Sequence, residues 1–258
     1  SLIPFQNFLL KTSVTLTPPT ATGPARGPLP ASSIPTMWVI TRSAFPYVLY
    51  YTMPMSKFVH LHTHSHYSLL EALPKIPDLV KQAKKNGMEA LALTDSGNLY
   101  GAIEFYKECK DEGIKPIIGI DAYIAARTRN DKEARIDSER TRLVLLATNE
   151  VGYKNLLKLV SISYLEGFYY KPRMDKEILE KFNEGLIAIS PIIPSEPEWW
   201  KKIFLPAQTG DKERFYIGID KNIELVKQAE SLGLPVVAMP EVYYLSPSDK
   251  PALETVRS

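Results

Sequence analysis

The stretch His60-Leu61-His62-Thr63-His64-Ser65-His66 holds all four histidines of the chain, one at every second position. Side chains in a β-strand repeat with a period of two, so this spacing predicts a strand that directs its imidazoles to one face. Neutral imidazole is a common metal ligand. The stretch therefore predicts a metal site, and the alternative is a solvated strand face that carries histidines by coincidence.

Short apolar runs alternate with amphipathic helical patterns on the carboxyl side of this stretch. Apolar strands separated by helices favour a parallel sheet covered by helices. About seven such units in roughly 200 residues predict a closed α/β barrel. We predict strands near residues 57–62, 90–93, 116–124, 142–147, 185–189, 215–219 and 234–239, and helices near 76–86, 98–112, 151–165 and 223–231.

Acidic residues stand where several predicted strands end. Asp95 and Asp121 close two of these strands, and Glu241 follows another. In α/β barrels the chemistry lies at the carboxyl ends of the strands, so these carboxylates are expected to face the histidines. Nitrogen and oxygen ligands together suit zinc, manganese or iron more than magnesium. For Asp95 alone, a helix N-cap is an equally good interpretation.

The charge is unevenly distributed along the chain. Residues 1–56 contain Lys11, Arg26 and Arg42 and no acidic residue, so residues 57–258 hold 28 basic and 29 acidic residues. A nearly neutral domain provides no basic field for gripping nucleic acid. With 258 residues, 45% of them hydrophobic, the chain can bury a full core as one large domain or two small ones.

The single cysteine, Cys109, excludes an internal disulfide bond, which suits a reducing cytoplasm. It lies in the helix predicted near 98–112, on the side that we assign to Leu99, Ile103 and Tyr106. We expect it to pack in the core rather than to react.

Residues 1–54 differ from the rest because they are rich in proline, serine and threonine. Their apolar stretch near residues 37–55 is interrupted by Arg42 and Pro46, so it is not expected to span a membrane. Three interpretations stay open: an organelle transit peptide, an uncleaved leader, or upstream sequence translated from a misplaced start. The last is favoured, because Met55 opens a plausible start just before the histidines. We expect 1–54 to be a disordered or non-native extension and 55–258 to form the domain.

Further motifs lie in the stretches Phe58–Ser65, Tyr67–Leu70, Ala92–Asp95, Gly97–Ala102, Gly113–Gly119, Gly152–Leu156 and Glu166–Arg173. Together these motifs resemble the N-terminal PHP (polymerase and histidinol phosphatase) domain of bacterial DNA polymerase III alpha subunits. The resemblance covers about residues 55–258 and implies a distorted seven-stranded α/β barrel of the PHP type, similar to a TIM barrel. Intact members bind up to three metal ions and can hydrolyse phosphoesters.

The chain departs from the family pattern at several ligand positions. Three positions where the family has histidine hold other residues here: Ser96, Arg142 and Tyr243. Asp121 stands where the family has glutamate. These losses imply one weakly bound divalent ion, zinc, manganese or iron, in place of the full cluster, and no catalytic residue is assigned. The expected metal ligands are His62, His64, Glu71, Asp95, Asp121 and Glu241, with His60 as a further candidate.

The resemblance also implies a function in DNA replication in the cytoplasm. The family's full-length subunit is a DNA-directed DNA polymerase, a nucleotidyltransferase whose magnesium ions sit in a palm that this chain lacks. We therefore expect a PHP fragment with a mainly scaffolding or docking role. Its expected partners are the remainder of the alpha subunit, a proofreading exonuclease subunit, and DNA through the full-length subunit, with no membrane partner.

Two other functions remain open from the sequence. One is a free-standing metal-dependent phosphoesterase of the histidinol-phosphatase type, and the other is a non-catalytic metal-binding module. Lys171 and Arg173 are candidate phosphate contacts, although two cations in one loop are also typical of a solvated surface.

Overall fold

The computed structural model of the protein describes residues 58–204 and 213–258. The expectation for residues 1–54 and the start of the expected 55–258 domain lie outside the described residues. In the part that is described, no helix has the length and apolar character needed to cross a membrane.

Strands and helices alternate along most of the described chain. A short 3-10 helix, Pro247–Asp249, precedes the last α-helix. The strands are β1 (His62–Thr63), β2 (Ala90–Leu93), β3 (Lys115–Ala125), β4 (Arg140–Ala147), β5 (Phe168–Tyr169), β6 (Lys171–Met174), β7 (Leu186–Ser190), β8 (Phe215–Ile219), β9 (Val236–Ala238) and β10 (Glu241–Val242). The helices are α1 (Ile76–Lys85), α2 (Ala102–Glu112), α3 (Glu150–Leu165), α4 (Lys176–Phe182), α5 (Pro197–Ile203), α6 (Ile223–Ser231) and α7 (Lys250–Arg257).

The helix boundaries follow local signals in the sequence. In α1 the buried residues recur at helical spacing, and Gly87, with a φ of +71°, lies two residues beyond its end. The side chain of Asn149 accepts a hydrogen bond from the backbone N–H of Gly152 and caps the start of α3. The short elements β5, β6, β10, α4 and α5 were not predicted.

The strands close into a ring. Sheet pairing runs β2-β3-β4-β7-β8-β9, and β1 pairs with β10. Only two residues separate β9 from β10, so they act as one strand. The backbone N–H of Ala92 donates to the carbonyl oxygen of His60 over 3.0 Å, and that of Thr94 to Thr63 over 2.9 Å, which joins β1 to β2. Across the described residues this ring has seven strands, which confirms the predicted distorted α/β barrel.

One strand of the barrel runs against the others. β4 is antiparallel to both β3 and β7, so the prediction of a parallel sheet is wrong at this strand. Residues 126–139 connect β3 to β4 without a helix, whereas the crossover to a parallel neighbour usually contains an α-helix. Because of this reversal, the start of β4 lies beside the carboxyl-terminal half of β3.

The core has an apolar interior and an outer layer of helices. In α2, Cys109 is fully buried with Ala102 and Phe105, which confirms its expected place in the core. Its predicted neighbours Ile103 and Tyr106 are instead 58% and 47% exposed, because the buried stripe follows residues 102, 105 and 109. The ring of strands encloses Val59, Leu61, Ala90, Ala92, Ile117, Val144, Leu146, Ile187, Ile189, Val237 and Met239.

Candidate metal site at the mouth of the barrel

Three buried side chains lie close together at one end of the barrel, which we call the mouth. They come from β1, from the residue that follows β1, and from β3. His62 Nε2 lies 3.0 Å from His64 Nε2 and 3.0 Å from Asp121 Oδ2. His64 Nε2 lies 3.7 Å from the same carboxylate oxygen. In the ranges that the structure describes, these residues form one group with ligand atoms within 4.8 Å of one another.

This spacing fits one metal ion. Ligands about 2.1 Å from a tetrahedral ion stand roughly 3.4 Å apart, close to the separations found here. His64 Nδ1 is 3.1 Å from the Ser68 hydroxyl, which orients the ring. Burial, and then the neighbouring His62, lower the pKa of His64 to about 3. A neutral imidazole is the form that binds metal, so His62, His64 and Asp121 can hold an ion.

Arg142 also donates hydrogen bonds to the carboxylate of Asp121. Its Nε donates to both oxygens of Asp121 over 2.9 Å, and its Nη2 also donates to Oδ2. Burial opposes ionisation of Asp121, but hydrogen bonds from His62 and Arg142 outweigh it and hold its pKa well below the usual range. The β3–β4 register pairs Arg142 with Tyr123, which places its side chain diagonally across from Asp121.

Glu71 faces the outer part of the mouth. Its Oε2 accepts a hydrogen bond from Ser96 Oγ over 2.6 Å, and its Oε1 accepts from Tyr123 Oη over 3.1 Å and Lys171 Nζ over 3.0 Å. Burial raises the pKa of Glu71, but the bonds from Ser96 and Lys171 outweigh it, so the pKa is lowered. The structure therefore places this predicted ligand in an ion pair with Lys171, outside the group of three.

Asp95 anchors the turn that follows β1. Its Oδ1 accepts from the Ser65 N–H over 2.7 Å and from Ser68 Oγ over 2.7 Å, and its Oδ2 accepts from Ser65 Oγ over 2.8 Å. Burial raises its pKa more than these hydrogen bonds lower it. Asp95 is not a helix N-cap either, since Gly101 holds that position in α2. The structure therefore places this predicted ligand in the turn after β1, outside the group formed by His62, His64 and Asp121.

Glu241 lies at the edge of the site. It pairs with His62 in the β1–β10 register, and its Oε1 is 3.8 Å from His62 Nδ1. That nitrogen is buried and has no hydrogen-bond partner. The Glu241 side chain is 47% exposed, so it is placed to approach the site from solvent.

The four histidines do not share one face, contrary to the prediction. His60 borders a cavity of about 170 Å³ beside α1, and its ring meets Phe58 edge to face at 4.9 Å. His66 packs against Tyr67 with ring centroids 4.3 Å apart. The regular alternation fails because β1 contains only two residues, and of the described part of the predicted 57–62 strand, residues 58–62, only His62 lies in a strand. His60 is therefore not part of the metal group.

Of the two candidate phosphate contacts, only Lys171 reaches the mouth. Its side chain is 37% exposed, and it borders a cavity of about 530 Å³ together with Arg140 and Arg142. Arg173 is fully buried, contrary to the prediction. Its guanidinium donates to four backbone carbonyls, those of Gly167, Arg129, Asp131 and Asp137.

Sequence reasoning missed the role of Tyr123. Its ring lies 4.5 Å from the Arg142 guanidinium and 5.5 Å from Lys171 Nζ, and its hydroxyl donates to Glu71. The signal was its position two residues after Asp121, on the same face of β3.

Comparisons with known proteins identify a family and relatives that this chain resembles. Residues 60–229 match the PHP domain family. DNA polymerase III subunit alpha of Borreliella burgdorferi is 44% identical over 227 residues, covering 78% of this chain and 19% of the relative. The Aquifex aeolicus subunit is 38% identical over 224 residues, covering 76% and 19%. The chain thus spans about a fifth of the length of these curated relatives.

Among solved structures, an amidohydrolase from Chromobacterium violaceum has a TM-score of 0.45 at 12% identity. The alignment covers 77% of this chain and 96% of that one.

Proposed function

The chain belongs to the PHP domain family, and we propose that it forms the PHP domain of a bacterial DNA polymerase III alpha subunit. Its identity of 44% over 227 residues with one such subunit supports this assignment. In this proposal the remainder of the subunit polymerises DNA, with magnesium in its palm, and grips the duplex. The complete subunit would act in the cytoplasm.

Within that subunit the domain acts mainly as a scaffold and as a docking surface for a proofreading exonuclease. The observation that carries the non-catalytic role is the Arg142 guanidinium on both oxygens of Asp121. Hydrolysis by two metals needs ions about 3.5–4 Å apart that stabilise the attacking and leaving oxygens. Ser96, Arg142 and Tyr243 contribute no imidazole to a second ion.

One divalent ion would be held weakly by His62, His64 and Asp121, with Glu241 at the edge. The mixed nitrogen and oxygen set suits zinc, manganese or iron. Such an ion, when bound, polarises a phosphoryl oxygen. Lys171 would contact a phosphate at the mouth. Ser68 orients His64, and Asp95 holds the turn that carries Ser68.

The test compares the chain with the complete polypeptide encoded by its gene. We expect the complete polypeptide to extend a primer on a template, and the chain 1–258 to extend none. We also expect no manganese-dependent hydrolysis of bis-p-nitrophenyl phosphate by the chain. Rapid hydrolysis with no primer extension by the complete polypeptide would instead establish the free-standing phosphoesterase.

A further inference from the structure

Arg142 occupies the space between the two acidic groups of the mouth. Besides its bonds to Asp121, its Nη2 donates to Ser96 Oγ over 3.1 Å and lies 4.0 Å from Glu71 Oε2. Its guanidinium also faces the ring of Tyr123 at 4.5 Å. The guanidinium thus lies between Asp121 on β3, Ser96 after β2 and Glu71 in the loop after β1. It acts as the cation at the centre of these groups.

Asp121 requires such a cation. It is 1% exposed, and leaving a buried carboxylate without a compensating charge is strongly destabilising. A guanidinium remains charged at any physiological pH and offers its donors in a planar fork that matches a carboxylate. The strand pairing of β4 fixes the position from which this fork reaches Asp121.

We propose that Arg142 replaces a metal ion as the cation that neutralises Asp121, so that the barrel mouth is held together without bound metal. This inference rests on the proposed function, since it explains how a PHP domain stays folded with an eroded site. Its consequence is competition: a metal ion can use Asp121 only after the guanidinium has moved away.

Competition predicts that affinity for metal is limited by Arg142 as well as by the number of ligands. Removing the guanidinium frees both oxygens of Asp121 beside His62 and His64, whose nitrogens are already correctly spaced. A guanidinium that occupies Asp121 in about nine molecules of ten leaves one in ten able to bind metal, which weakens the apparent affinity about tenfold. We therefore expect Arg142→Gln to bind zinc about tenfold more tightly than the wild-type chain, or more.

The experiment uses the full chain and three proteins: wild type, Arg142→Gln and Arg140→Gln. Arg140 is the matched control, because it lies two residues away on β4 and faces the Tyr123 ring at 5.5 Å, but donates to the Ser138 carbonyl. Zinc binding is measured by titration calorimetry, and the melting temperature Tm is measured with EDTA and with zinc.

Because the wild-type and Arg140→Gln proteins bind zinc only weakly, we expect zinc to raise their Tm by less than it raises that of Arg142→Gln. In EDTA, the Tm of Arg142→Gln should be lower than that of wild type by about 4 °C or more, and zinc should restore this loss. Equal zinc affinity in wild type and Arg142→Gln, or a wild-type Tm that rises with zinc as much as that of the variant, would overturn the proposal.

A variant that keeps the charge guards against failure to fold. Arg142→Lys retains a cation without the planar fork, so its Tm in EDTA should fall between those of wild type and Arg142→Gln, with little gain from zinc. If zinc stabilises Arg142→Lys as strongly as Arg142→Gln, the competition model fails. Such a failure would leave primer extension by the complete polypeptide intact, so it is distinguishable from failure of the proposed function.

Discussion

Tyr243 lies flat against His64, with ring centroids 4.3 Å apart and planes inclined by 12°. The Arg257 guanidinium lies 4.3 Å from the same tyrosine ring and donates to the Glu71 carbonyl over 2.9 Å. Tyr243, which stands where the family has a histidine ligand, therefore packs on His64, one of the candidate ligands that remain. Through Arg257 it also ties the end of α7 to the loop after β1.

Removing the Tyr243 ring should loosen this end of the barrel. Tyr243→Ala is expected to lower the free energy of unfolding by about 1–3 kcal/mol, because stacking against His64 and the burial of the ring are lost. Tyr243→Phe keeps the ring and should stay within about 1 kcal/mol of wild type. Urea unfolding measures both, and equal losses in the two variants would show that the ring does not matter.

Arg173 should be among the costliest residues to truncate. Its buried guanidinium donates to four backbone carbonyls, and Arg173→Ala leaves these acceptors buried without partners. We expect a loss of about 3 kcal/mol or more in urea unfolding. The exposed Arg140→Ala is the control, with an expected change within about 0.5 kcal/mol. Similar values for the two variants would contradict the structural role of Arg173.

The sequence predicted the barrel well because its strongest signals are local and periodic. The apolar runs of β2 and β8 and the stripe of α1 matched almost to the residue. The direction of β4 was harder to predict, since it depends on a connection without a helix. Apolar runs look alike whichever way a strand runs.

The site was only partly predictable for a different reason. His62, His64 and Asp121 come together because strand ends meet at the barrel mouth. The sequence could not show that Asp95 would turn toward Ser65 and Ser68, or that Arg173 would point inward. These outcomes depend on which donors lie nearest once the loops have folded, and residue type alone does not determine that.

Cys109 should be inert in the native chain. Burial, and then the negative charge of Glu108, raise the pKa of its thiol to about 12, so almost none is present as thiolate at pH 8. Ellman's reagent should not label the native protein at that pH, and it should label one thiol per chain in urea. Rapid labelling of the native protein would show that α2 opens or that the cysteine is accessible.

The last prediction concerns the number of metal ions. The chain lacks imidazoles at Ser96, Arg142 and Tyr243, which lie beside the group formed by His62 and His64. Replacing all three by histidine removes the competing guanidinium and adds three nitrogen ligands around the same space. We expect the triple variant to bind more metal per chain than wild type, as measured by elemental analysis after dialysis against manganese or zinc.

His62→Ala, which removes an imidazole, is the counterpart of the triple variant, which adds three. It removes the imidazole that lies 3.0 Å from both His64 and Asp121, so it should abolish metal binding in the wild-type background and reduce it in the triple variant. Folding is checked by the Tm in EDTA, which separates a lost ligand from a lost structure. Two or more tightly held ions in the unmodified chain, with manganese-dependent hydrolysis of a model phosphoester, would show a working hydrolytic centre. In that case Arg142 would have to leave Asp121 whenever metal is present, and the scaffold role would no longer account for the site.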